Sequence, residues 1–163
     1  MITHLYNREV IEGGQAEIEE LLSVTYNHDD YNTFFVPEVT RRLQLAKDRQ
    51  IDCRQRLEKL SIEHAQLKAL PSDKWRYDMF MSLHLYSRSF STIQGEIELN
   101  EQSQAGYEAD LLEEQNNEFY YINLLLFAHS TDFFLKYPHV SRIIGQNDDF
   151  MSKLEVVSLV YRL

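Results

Sequence analysis

From Val39 to Leu67 the chain places a seam residue alternately four and three positions apart: Val39, Leu43, Ala46, Gln50, Cys53, Leu57, Leu60, His64 and Leu67. This spacing predicts a helix that buries a narrow stripe against another helix, with Gln50 and His64 as polar interruptions. Pro37 suits the first helical turn, where its missing N–H costs nothing. No breaker follows before Pro71, so a helix is expected over 37–70, ~50 Å long at 1.5 Å per residue. Pro71-Ser72-Asp73 reads as a turn, with Ser72 able to cap a new helix and Asp73 to complement its dipole. The spacing resumes at Met79, Leu83, Tyr86, Phe90, Ile93 and Ile97. Two heptad helices, 37–70 and about 73–99, are therefore expected to fold back as an antiparallel hairpin. A turn centred on residues 71 and 72 would set Ala46 opposite Ile97, Cys53 opposite Phe90 and Leu60 opposite Leu83, small residues against bulky ones.

Outside the hairpin the pattern is less regular. Residues 2–12 are ambiguous and Gly13-Gly14 is a break. Ile18, Leu21, Leu22 and Thr25 share a face, which predicts a short amphipathic helix over 15–26. Asn27 to Phe35 reads as a loop rich in Asn, Asp and aromatic residues. Residues 100–118 are hydrophilic, with a weak point at Ala105-Gly106. A helix is expected from about 108 to 136; its middle, Phe119–Ala128, is apolar on nearly all faces and belongs inside a bundle. Pro138 ends it, and a last helix is expected over 148–162. The expected fold is all-α, a single helical domain over 1–163 built on a long antiparallel coiled-coil-like hairpin.

Composition supports this class. Hydrophobic content of 44% and aromatic content of 12% belong to a folded chain, and five Gly with three Pro are too few for the many tight turns of a sheet protein. Cys53 is the sole cysteine, so no intrachain disulfide can form, and its seam position suits a small buried residue. The amino terminus carries no secretory h-region, and the longest apolar run is too short for a span of about 20 residues. A soluble, intracellular protein with no membrane contact is expected.

The net charge of −10 is unevenly distributed. Residues 1–36 and 101–118 each carry −6, whereas 37–70 carries +3. With Val39 at heptad position d, Arg42, Lys47, Arg49, Arg54, Arg56 and Lys68 flank the seam at e and g, where ion pairs select partners. The corresponding sites of 73–99 are mostly Ser, Gln and Phe, with one acid, Glu96. Two readings follow: the acidic segments neutralise the stripe from within, or Arg42, Arg49 and Arg56 face an acidic partner protein. The net charge disfavours nucleic acid as a partner.

Motifs for chemistry are sparse. The chain has no Walker loop, dinucleotide Gly fingerprint, nucleophile elbow, His-Glu-x-x-His or Glu-x-x-His. Asn27, Asp29 and Glu38 fall at positions 1, 3 and 12 of an EF-hand count, but Tyr31, Asn32 and Pro37 break the pattern. His129 and Asp132 share helical spacing without a nucleophile beside them. No cofactor, metal or catalytic residue is expected. Tyr31, Phe34 and Phe35 staple the loop to the bundle or, if exposed, form an aromatic docking anchor. The expected function is therefore a non-enzymatic protein–protein interaction module, a scaffold, assembly subunit or adaptor, that binds another protein or itself. One alternative is an acidic nucleic-acid mimic that inhibits a DNA-binding protein through Glu9, Glu12, Glu17, Glu19, Glu20, Asp29, Asp30 and the acids of 101–118. The other is a helical small-molecule sensor or enzyme with an apolar pocket lined from Phe119–Phe134.

Overall fold

Asn27 starts a helical run that continues to Lys68, and the way it does so overturns the loop expected at 27–35. Its backbone is extended, and its side chain accepts from the Asp30 N–H at 3.0 Å. Asp30 reciprocates, accepting from the Tyr26 N–H at 3.1 Å. This exchange satisfies amides that a helix start leaves unpaired. The computed structural model describes residues 6–70 and 93–140, which form helices joined by short turns and no strand. The protein is all-α. In order the elements are α1 (Arg8–Gly13), α2 (Gln15–Leu22), α3 (His28–Asp30), a π-helical turn (Tyr31–Phe35), α4 (Val36–Lys68), α5 (Ile93–Ala128) and α6 (Thr131–Lys136). Helical geometry is continuous from α3 through the π turn into α4. Pro37 therefore sits inside a helix, just after that wide turn. A proline there removes one N–H and crowds the carbonyl four residues back, and a locally wider turn accommodates both.

The chain packs as two compact units, residues 1–47 with 115–163, and residues 48–114. Helices α4 and α5 each contribute to both. In the first unit the core is strongly aromatic. Tyr31 stacks on Phe35 with ring centroids 6.0 Å apart and meets Phe133 and Phe134 at 5.8 and 5.2 Å. Ile18, Leu21, Val39, Leu124 and Leu125 fill the space around them. The end of α5 lies in the interior as its all-round apolar sequence demands, Asn123 to Ala128 being buried. Asn123 accepts from the Asn7 N–H at 2.8 Å, and Asn7 caps α1. The helix expected over 108–136 is instead two. It breaks at His129-Ser130, where the Ser130 hydroxyl accepts from the Phe133 N–H and caps α6.

In the second unit α4 lies antiparallel to the first part of α5. Asn100 donates to the Leu60 carbonyl at 3.0 Å, His64 Nε2 lies 3.0 Å from Glu101 Oε1, and Gln50 donates to the Glu114 carbonyl at 3.3 Å. The seam of α4 is as expected, each of its nine positions being buried or half-buried. Its facing residues differ from the expected register. Extended from the Leu60–Asn100 and His64–Glu101 contacts, the register sets Ile97 level with the carboxyl end of α4 and not opposite Ala46. Residues 100–118 are no break: α5 runs unbroken through Gly106. The seam at Ile93 and Ile97 continues at the same spacing through Asn100, Gln104, Tyr107, Leu111 and Glu114, all buried or half-buried. The expected turn at 71–73, seam positions 79–90 and helix 148–162 lie outside the described residues.

Candidate functional site

The residues singled out for partner binding separate into interior and surface groups. Tyr31 and Phe35 are core side chains, buried almost completely, which removes them as docking anchors. The reason is the π turn: it aims both rings inward, and the Tyr31 hydroxyl donates to the Ala128 carbonyl at 2.8 Å. Phe34, on the opposite side of that turn, remains 38% exposed. The three arginines are each engaged within the chain. Arg42 bridges Glu17 and Glu38, and with Arg41 holds the Glu38 carboxyl down at about 2. Arg49 reaches Glu114 at 3.4 Å. Arg56 pairs with Asp52 at 2.9 Å, donates to the Tyr107 hydroxyl at 3.0 Å and lies over that ring.

The acidic segments are partly committed too. Glu17 accepts from the Tyr121 hydroxyl as well as from Arg42, and Asp30 caps the Asn27 start. Glu9, Glu12, Glu19, Glu20 and Asp29 stay exposed. His129 and Asp132 do not come together as an acid–base pair. His129 Nδ1 lies 3.1 Å from the Tyr31 hydroxyl, whereas Asp132 accepts from Tyr6 at 2.7 Å. Burial holds the His129 imidazole down to about 4. Cys53 is buried, and burial with the nearby carboxylates of Asp110, Asp52 and Glu114 pushes its thiol up. That keeps it protonated and a packing residue. Asn27, Asp29 and Glu38 belong to a continuous helical run. Among the described residues no three or more His, Cys, Asp or Glu side chains are grouped to hold a metal ion.

Two clefts lined by described residues open on the first unit. One, of about 380 Å³, is bordered by Gly13, Gly14, Asn117, Phe119 and Tyr120. The other, of about 260 Å³, lies between α1, the end of α5 and α6, and is bordered by Tyr6, Arg8, Glu12, Phe127, Asp132 and Lys136. Both are open to the surface and of mixed polarity, unlike the enclosed apolar pocket expected from Phe119–Phe134. Tyr6, Arg8 and Glu12 escaped the sequence pattern because they lie more than a hundred residues from α6. The Asn7 cap was the one local signal for their helix.

The surface of the second unit has an unusual distribution of polarity. Gln50 and Asn100 are 4% and 5% exposed in its seam, while Ile62 and Leu112, outside the seam, are 54% and 59% exposed. Ile51 and Leu99 are similarly open. Among the described residues no helix is long and apolar enough to cross a membrane. Comparison of the chain with protein-family models, curated proteins and solved structures found no match.

Proposed function

We propose that the chain is a non-enzymatic interaction module that binds a protein partner, or a second copy of itself, through the outer surfaces of its coiled-coil-type helices. The observation that carries the reading is the inversion of polarity in the second unit. Buried seam positions are spent on hydrogen-bonded amides, while Ile51, Ile62, Leu99 and Leu112 face outward. An apolar seam would stabilise a lone hairpin better, and polar seam residues are favoured where pairing specificity matters. Covering a half-exposed Ile or Leu contributes about 1 kcal/mol or more, so four of them represent appreciable binding energy. Ile51 and Ile62, three turns apart, lie on one face of α4. The reading includes a soluble, intracellular scaffold or adaptor, which the free, buried Cys53 suits.

The test combines light scattering on the purified chain with recovery of the tagged protein from its host at physiological salt after nuclease treatment. The proposal expects a defined oligomer or a stoichiometric protein partner. It further expects Ile51→Glu with Ile62→Glu to abolish that association while leaving helicity and Tm unchanged. A chain that is monomeric and recovered alone, or an association indifferent to both substitutions, overturns it.

A further inference from the structure

The 260 Å³ cleft of the first unit supports a step beyond partner binding. Its inner wall is apolar, formed by the buried side chains of Ile11 and Phe127. Around that wall stand two cations, Arg8 and Lys136, and two carboxylates, Glu12 and Asp132. The frame is built by neighbouring contacts. Tyr6 packs its ring 4.9 Å from Phe127 and ties its hydroxyl to Asp132, while Gln15 donates to the Tyr137 hydroxyl at 2.7 Å. The cations retain donor capacity. Arg8, with 65% of its side chain exposed, approaches Asp132 no closer than 3.9 Å. Lys136 donates to one neutral acceptor, the Gln15 side-chain oxygen, at 3.2 Å. A guanidinium offers five N–H groups and an ammonium three.

We propose that this cleft binds a small zwitterion with an apolar side chain, a free α-amino acid of the leucine or phenylalanine type. The ligand carboxylate would be taken by Arg8 and Lys136, its ammonium by Glu12 and Asp132, and its side chain by Ile11 and Phe127. The alternatives fit less well. A simple anion would meet the two carboxylates, a simple cation would meet Arg8 and Lys136, and an uncharged apolar molecule would desolvate four charges without compensation. The volume is below the roughly 300–1,000 Å³ of drug-sized sites, which limits the occupant to one small molecule. An open, partly hydrated site of this kind corresponds to a Kd on the order of 0.1–1 mM.

The experiment is an NMR titration of the full chain with L-phenylalanine and L-leucine, followed through backbone amides and the Gln15 side-chain amide. Saturable shifts confined to the segments around Ile11, Gln15, Phe127 and Lys136 are expected. 3-Phenylpropionate and phenethylamine, each lacking one charge, should bind about tenfold more weakly, as should the exposed-residue variants Glu12→Gln and Lys136→Met. Both variants should keep wild-type helicity. Absence of saturable shifts up to about 20 mM ligand, well above the expected Kd, overturns the proposal. So do equal binding of the singly charged analogues and unweakened binding by the two variants.

Discussion

Acidification should destabilise the first unit through His129, and the effect can be sized from its surroundings. The imidazole sits at the end of α5 with Nδ1 3.1 Å from the Tyr31 hydroxyl. That hydroxyl already donates its hydrogen to the Ala128 carbonyl at 2.8 Å, so it accepts from His129, whose proton is therefore on Nδ1. Burial lowers the folded-state pKa from 6.5 to about 4. With the folded value below the unfolded one, the unfolded chain binds the extra proton first, and stability falls as pH drops from about 6.5 towards 4. The loss amounts to about 2 kcal/mol between pH 7 and 5, and about 3 kcal/mol once pH is below both values. In a chain of this size the first figure corresponds to a Tm lower by roughly 4–8 °C. Glu38, held at about 2 by Arg41 and Arg42, supports stability above about pH 4.5 and withdraws that support as pH falls through its own pKa. The interval from pH 7 to 5 therefore excludes Glu38, and comparison with a His129 variant separates this histidine from the others. The assay is urea unfolding of wild type and His129→Leu at both pH values, with a direct NMR titration of the His129 ring. The variant should lose about 2 kcal/mol less stability on going from pH 7 to 5. An equal pH dependence in the two proteins, or a ring that titrates above pH 6, refutes the reasoning.

Four substitutions test the packing. A Cβ at Gly14 would run into the Tyr120 ring, whose hydroxyl donates to the Gly14 carbonyl at 2.8 Å; Gly14→Ala should cost about 1–3 kcal/mol in urea unfolding, whereas Tyr120→Phe should cost only about 1 kcal/mol. Gly106 lies inside α5 with open space where a Cβ would be, so Gly106→Ala should raise stability by about 0.5–1 kcal/mol, and a lower Tm would contradict an unbroken α5. Cys53→Phe should overpack the seam and lower stability by about 1–3 kcal/mol by the same measurement.

The seam of α4 was legible because its signal is a period, and a period survives the loss of individual apolar residues. Gln50 and His64 interrupt the chemistry of the stripe but not its spacing, and both lie within it. The continuation of that spacing through Asn100, Gln104 and Glu114 was equally periodic. A hydrophobic pattern does not reveal it, because these positions are occupied by hydrogen-bonding residues: Gln104 donates to Asn100, which donates to Leu60. Residues 27–35 resemble a loop for a related reason. Asn and Asp favour turns and helix caps for the same cause, a short side chain that competes for nearby amides. Asn27 and Asp30 use it to begin a helix. The cleft was invisible because Arg8 and Lys136 are brought together by tertiary packing, which leaves no local spacing to detect.

Basic e and g positions on α4 find few acids on 73–99, which leaves two answers to the arginine stripe: acidic segments of the same chain or an external acidic partner. The −6 segment at 101–118 is the neighbour that charge complementarity selects. The ion pairs follow that logic. Glu114 meets Arg49, Glu101 meets His64, and Tyr107 takes Arg56 on its hydroxyl and ring. Exposed pairs of this kind contribute about 0–1 kcal/mol each, so their value lies in setting which helix faces α4 more than in holding it there. With Arg49, Arg56 and His64 engaged internally, the exposed apolar side chains stand out on the described part of the second unit. Ile51, Ile62, Leu99 and Leu112 are accordingly the positions at which an occupied surface should reveal itself.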